Sequence, residues 1–215
     1  MIAARRRDGR TTANQLLDVA EQLFAERGIE AVSLREIGRI AQSRNTSVAN
    51  YHFRDKAGLV HAVLDRRFSV IDQRRQDLLD EAISSAADGE PELGALVVVL
   101  YGPLIEQLDT DGYYIGFVDK LTQDLHGDSW TALVDTPSAS WRATSERLIT
   151  RMAPLDRAQA ERRLDLARRV VLDAVAMRQA QERAETAPTT RTEFVSEVLD
   201  GIYALLTGPV RDWPV

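Results

Sequence analysis

Ser33-Leu34-Arg35-Glu36-Ile37-Gly38-Arg39-Ile40-Ala41 is followed by the polar run Gln42-Ser43-Arg44-Asn45 and then by Thr46-Ser47-Val48-Ala49-Asn50-Tyr51-His52-Phe53. Ser33 with Glu36 three residues on has the form of a capping box, and Leu34, Ile37 and Ala41 give the short helix after it one buried side. The polar run reads as a turn, and Thr46 to Phe53 as a second short helix. Upstream, Thr12 and Gln15 form another box. Leu16, Leu17, Ala20, Leu23 and Phe24 then fall on one helical face, and Gly28 is a natural stop. Downstream, Asp55 caps a further helix whose inner face is Leu59, Val60, Val63 and Leu64. A long helix before two short ones separated by a tight turn is the layout of a helix-turn-helix, and equally of a small helical bundle.

The residues themselves go further than the spacing. Leu16–Phe24, Gly28, Ser33–Ile37, Ala41, then Asn50-Tyr51-His52-Phe53-Arg54-Asp55-Lys56 and Leu59 resemble the DNA-binding domain of the TetR family of transcriptional regulators. The Tyr-His-Phe-x-Asp-Lys-x-x-Leu segment is the most specific part, and the resemblance covers residues 11–65. The stretch between Ala41 and Tyr51 is slightly longer than the usual family spacing and lacks the Gly that commonly follows Ala41. The resemblance implies an all-α protein with an N-terminal three-helix helix-turn-helix domain (1–55, with a basic arm 1–11) and a helical ligand-binding and dimerisation domain (56–215). It also implies that Tyr51, His52 and Lys56 touch the DNA backbone. Each has the chemistry for it, as two neutral donors and a point charge. Phe53, without a donor, is expected in the core. Thr46, Ser47 and Asn50 are candidates for base edges, since small hydroxyls and a carboxamide suit them. Arg44 and Asn45 can reach base or phosphate, or simply cap and solvate the turn. Arg5, Arg6, Arg7 and Arg10 make an irregular basic arm, either a minor-groove tracker or a loose tail.

Charge distribution fits a nucleic-acid partner better than the net value of −6 does. Residues 1–67 hold 12 Lys/Arg and 8 Asp/Glu, a net of +4, while residues 68–215 hold 15 and 25, a net of −10. A cationic head on an anionic body can offer one face to phosphate. The absence of cysteine excludes disulfides and thiolate metal sites and fits a cytoplasmic setting. The basic stretch Met1–Arg10 has no apolar core after it, and no apolar run reaches the roughly 20 residues a bilayer requires, so no membrane partner is expected.

Past Lys56 the helix is expected to run to Ser85, ahead of Asp88-Gly89-Glu90-Pro91. A helix over 92–108 follows, kinked at Gly102-Pro103, then one over 112–125, a break over 127–140, and one over 141–152 ahead of Pro154. Two long helices close the chain on either side of Ala187-Pro188-Thr189. Their apolar stripes include Leu164, Val171 and Val175 on the first, and Phe194, Val198, Ile202 and Leu205 on the second. The family resemblance makes them a homodimer interface; the alternative is that both stripes face their own core. Tyr101, Tyr113, Tyr114, Phe117, Trp130, Trp141 and Met177 are either core or the lining of a pocket for a small, largely apolar effector.

The function expected is a sequence-specific DNA-binding regulator, a repressor released from a pseudo-palindromic operator by that ligand, with no cofactor, metal or catalysis. No phosphate-binding glycine loop, nucleophile elbow or metal-ligand spacing is present, and His52, His61 and His126 are scattered. An activator of the same fold, or a helical binding module without DNA activity, remains the alternative.

Overall fold

The structure, a computed structural model, describes residues 2–41, 52–109, 112–123 and 138–210. Every regular element among them is helical: α1 (Ile2–Arg27), α2 (Leu34–Ile40), α3 (Lys56–Ser85), α4 (Leu93–Ile105) with a 3-10 turn at Glu106–Asp109, α5 (Tyr114–Gln123), α6 (Ala139–Arg151), α7 (Arg157–Arg183) and α8 (Arg191–Thr207). The chain forms two compact units, residues 1–69 with 111–136, and residues 70–110 with 137–215. The boundary drawn from sequence at 55/56 meets the start of α3, whereas compactness divides the chain inside that helix. The reason is packing, because Leu59, Val60, Val63 and Leu64 on its first turns are all buried in the head.

In the head unit, α1 buries Leu16, Leu17, Ala20, Leu23 and Phe24, the face the periodicity selects. Gly28 ends it at φ 79°, a left-handed conformation that glycine adopts without a steric penalty, and its N–H closes on the Phe24 carbonyl at 2.9 Å. At the other end the helix begins at Ile2, well before the Thr12 cap expected from sequence. The backbone at Arg5, Arg6, Arg7 and Arg10 is therefore helical rather than an irregular arm. Ser33 caps α2 by accepting from the Glu36 N–H at 3.2 Å, but the Glu36 carboxylate turns to Arg27 at 2.7 Å. Ile37 is buried, while Leu34 and Ala41 are half-buried.

The stretch 112–125, read from sequence as part of the body, supplies α5 to the head, where it packs on α1. Phe24 and Phe117 stack with centroids 5.8 Å apart. Gly116 lets the helices approach, since a Cβ there would lie 3.3 Å from the Ala25 Cβ.

The body unit is organised around α4. Its Leu-Gly-Ala-Leu-Val-Val-Val-Leu-Tyr sequence is apolar on nearly every face, and Leu96, Val97, Val99, Leu100, Tyr101, Leu104 and Ile105 are buried. The helix continues through Pro103 and tightens to a 3-10 turn only at Glu106. α7 and α8 start from capping boxes at Asp156/Gln159 and Thr190/Glu193, which hold their first turns. Arg178, 3% exposed inside an apolar stripe, is tolerated there because its guanidinium meets Glu182 at 2.7 Å and the Thr189 carbonyl at 2.8 Å, and lies over the Phe194 ring at 5.4 Å. Among the described residues no helix is long and apolar enough to cross a membrane.

Phe117 is fully buried against Phe24. Phe117→Ala is expected to destabilise the head by about 3–5 kcal/mol, the range for emptying a buried aromatic site. Denaturant unfolding followed by amide exchange in α1 reads this, and wild-type protection of α1 in the variant would remove α5 from the head core.

Candidate functional site

The two ends of the helix-turn-helix region are held by local chemistry. His52 and Phe53 are helical, their rings tilted with centroids 6.0 Å apart, and both are half-buried. Phe53 is thus not the fully buried core residue expected. Arg54 takes a left-handed φ of 63° and stands exposed. The Asp55 N–H bonds the Phe53 carbonyl at 2.7 Å, and the Asp55 Oδ1 accepts from the Gly58 N–H at 2.7 Å, capping α3. Gly58 is required by this turn, because a Cβ would stand 2.2 Å from the Phe53 carbonyl oxygen. The chain therefore passes from His52 and Phe53 into α3 through one tightly specified bend.

The head unit also holds a buried ionic centre. Glu21 on α1 is 2% exposed and accepts from Arg66 at 2.9 Å, from Arg67 at 2.9 and 2.7 Å, and from the Tyr113 N–H at 3.1 Å. Arg66 also reaches Asp18 at 2.6 Å. Burial pushes the Glu21 carboxyl up, but hydrogen bonds and charge from Arg67 and then Arg66 outweigh it, so its pKa lies below the ordinary 4.5.

Much of the head's positive charge is thereby spent internally. Arg66 and Arg67 serve Glu21, Arg27 serves Glu36, and the Lys56 ammonium lies 3.0 Å from the Ile29 carbonyl and 3.3 Å from the Glu30 carbonyl. Among the described head residues, Arg35, Arg39 and Arg54 are exposed cations outside any ion pair. Sequence reading did not single out Arg35 and Arg39. Their place on the outer side of α2, opposite buried Ile37, was the available signal.

Of the expected DNA contacts, Arg44, Asn45, Thr46, Ser47, Asn50 and Tyr51 lie outside the described residues, as does Trp130. His52 is helical and half-buried just ahead of the bend, and Lys56 opens α3 with its ammonium turned to the α1–α2 loop.

The expected pocket residues divide between the two units. Tyr113, Tyr114 and Phe117 belong to the head unit. Tyr101, Trp141 and Met177 belong to the body, and only Tyr101 and Trp141 meet there, edge to face with centroids 5.8 Å apart. Tyr101 is fully buried and donates to the Leu164 carbonyl at 3.0 Å; burial pushes its phenol up, keeping it a neutral donor. Arg75, 4% exposed, lies 5.3 Å over the Trp141 ring and bonds the Leu100 carbonyl at 3.2 Å. Asp72 lies 3.7 Å from it and accepts from Ser140. Met177 is 54% exposed.

Of the expected interface residues, Leu164, Val171, Val175, Phe194 and Ile202 are buried within their own unit, and Val198 and Leu205 are half-buried. The apolar side chains that α7 and α8 leave exposed are Leu166, Val170, Met177 and Tyr203.

Residues 16–63 match the model of a family described as bacterial regulatory proteins, tetR family. Comparison with curated proteins finds no match. Two solved structures are similar in fold. One is NalD of Pseudomonas aeruginosa, the secondary repressor of the MexAB-OprM multidrug efflux pump, with a TM-score of 0.59 at 18% identity, covering 96% of this chain and 100% of that one. The other is a putative fatty acid metabolism regulator of Clostridium perfringens, with a TM-score of 0.51 at 16% identity, covering 92% of this chain and 100% of that one.

The depressed pKa of Glu21 fixes a pH dependence. Its contribution is fully present above the ordinary value of 4.5 and is lost as pH falls through the lower folded-state value. Glu21→Gln leaves Arg67 without its counter-charge and Arg66 with Asp18 alone. It is expected to cost about 3 kcal/mol at pH 7, the low end for breaking a buried pair because the guanidinium groups stay partly exposed. Thermal unfolding across pH should show a wild-type loss below 4.5 that the variant lacks, and parallel pH profiles would overturn the assignment.

Proposed function

We propose that this chain, whose N-terminal segment belongs to the tetR family of bacterial regulatory proteins, is a dimeric DNA-binding transcriptional repressor released by a small ligand. The match over residues 16–63 carries the reading, and the geometry at both ends of the helix-turn-helix region supports it. α2 is capped by Ser33, and the chain enters α3 through the bend at Arg54–Gly58. Arg35, Arg39 and Arg54 are placed to neutralise phosphate. Thr46, Ser47 and Asn50 would read base edges, with Arg44 and Asn45 beside them and Tyr51 and His52 on the backbone. The sign of regulation is supported by likeness in fold to a repressor.

One helix reads few base pairs, so selectivity asks for two heads about 34–36 Å apart on a pseudo-palindrome. Leu166, Val170 and Met177 recur on one face of α7, and Tyr203 is exposed on α8. These four side chains, with half-buried Val198 and Leu205 on α8, are the surface we assign to the partner copy. The ligand acts by favouring a state that binds DNA poorly, and each tenfold loss of operator affinity requires about 1.4 kcal/mol of coupling. Tyr101 and Trp141, with Arg75 over the indole face, are the body residues whose chemistry suits an apolar ligand with an anionic or aromatic group.

The test is binding to labelled duplex from the DNA flanking the gene, with excess mixed-sequence competitor, at two salt concentrations. Selective, salt-sensitive binding is expected; absence of selectivity across flanking fragments would return the chain to a helical binding module. Tyr51→Ala should weaken operator binding by about 1.5–3 kcal/mol, the worth of a hydrogen bond to a charged group, while the dimer persists. Leu166→Glu with Val170→Glu should sediment as a monomer and lose selective binding. A wild-type dimer in that variant would place the interface elsewhere.

A further inference from the structure

We infer that the body unit holds a binding site for a neutral hydrogen-bond donor, a hydroxyl or amide N–H carried by a small apolar ligand, and that the side-chain oxygen of Gln179 is the acceptor that recognises it. The inference deepens the ligand part of the reading above and rests on that reading for its consequence at DNA.

The α7 stripe turned towards α4 is apolar along most of its length. Leu164, Ala167, Val171 and Val175 are buried, and Tyr101 of α4 donates to the Leu164 carbonyl at 3.0 Å. One turn past Val175 the same face carries Gln179, which is 7% exposed. A carboxamide has two N–H donors and an oxygen with two lone pairs. Here Nε2 donates to the Gln107 backbone carbonyl at 3.4 Å, which fixes the end of the amide that is nitrogen. Among the described residues of the body, Gln179 Oε1 is the one buried side-chain polar atom without a hydrogen-bond partner.

The surroundings show that this is not the rule for buried polar groups here. Arg178, next in the chain, reaches Glu182 at 2.7 Å and the Thr189 carbonyl at 2.8 Å. Gln107, 8% exposed, is tied back to the Pro103 carbonyl at 3.1 Å. An amide pinned at its nitrogen to this anchored turn cannot swing its oxygen to solvent without giving up its own bond. A buried acceptor left unpaired costs its desolvation and returns nothing to the fold, so an apolar side chain would serve the stripe better. A donor that arrives with a ligand explains why a carboxamide stands there.

The acceptor also selects the chemistry of that donor. An ionised carboxylate has no proton to give, and an ammonium would be buried against a carbonyl oxygen that offers no counter-charge. A neutral hydroxyl or amide N–H meets the acceptor without either cost. The apolar remainder of the ligand matches Val171 and Val175 on the same face of α7.

Phenol and toluene, a hydroxyl and a methyl on the same ring, are the probes. Transfer out of water favours toluene, so a preference for phenol requires a protein acceptor. The full chain is titrated with each while the side-chain amide NMR signals of Gln179 are followed, identified by their loss in Gln179→Met. We expect phenol to shift these signals saturably and to bind about tenfold more tightly than toluene, near the upper end for one neutral hydrogen bond. In Gln179→Met, which keeps the length of the side chain and removes the acceptor, the order of the two probes should invert. That variant should unfold no earlier than wild type, because no bond to Oε1 is lost.

Toluene preferred by the wild type, no saturable shift at Gln179, or an unchanged order in the variant overturns the proposal. Earlier unfolding of Gln179→Met also overturns it, since Oε1 would then be bonded in the free protein, to a buried water or to the chain. Phenol bound at Gln179 by a chain that selects no duplex upholds the site and counts against the regulator reading. Selective duplex binding with no phenol at Gln179 does the reverse.

Discussion

A carboxylate removed from water has to be matched in charge and hydrogen bonding, and Glu21 is matched on every side. Arg66 and Arg67 approach from α3, and the Tyr113 N–H approaches from the lead into α5. Two segments distant in sequence thereby converge on one side chain of α1. The apolar packing around it, Phe24 on Phe117 and Gly116 against Ala25, gives the head most of its cohesion. The ionic centre adds direction, since hydrogen bonds of fixed geometry set the rotation and register of α3 and α5 about α1 more narrowly than apolar contact does.

That constraint changes what the head's charge means. A formal surplus of cations suggests a surface prepared for phosphate, yet Arg27, Arg66 and Arg67 are paired with carboxylates and Lys56 with backbone carbonyls. Among the described head residues, the exposed positive charge outside ion pairs sits on Arg35, Arg39 and Arg54. Net charge counts groups, but binding depends on those whose donors are still unspent.

The body follows a related rule with a different balance. α4 is apolar on nearly all faces and so must be surrounded, and the buried Tyr101 and Arg75 side chains beside it both have partners. The Tyr101 hydroxyl has the Leu164 carbonyl, and Arg75 has the Leu100 carbonyl, Asp72 and an indole face. Arg178 and Phe194 repeat the device where α7 turns into α8. Such satisfied polar centres specify which helix faces meet, a choice that apolar surface alone leaves loose.

Local chemistry is legible in a sequence because it acts over three or four residues. The buried face of α1, the Gly28 stop, the Ser33 and Asp55 caps, the span of α3 and the two long closing helices could all be read that way, as could the Tyr-His-Phe-x-Asp-Lys signature. Partnership between distant segments could not. The sequence placed Glu36 in a capping box, and the fold turned it to Arg27; it left Phe117 open between core and a ligand pocket, and the fold stacked it on Phe24 of α1. It offered Leu164, Val171 and Val175 to a partner copy, and the fold buried them in their own core, leaving Leu166 and Val170 outside. An apolar stripe states that a face must be covered, not by what, and a charged side chain states what it can bond, not which partner arrives first. Those choices belong to the tertiary structure, because only there do segments far apart in the chain compete for the same atoms.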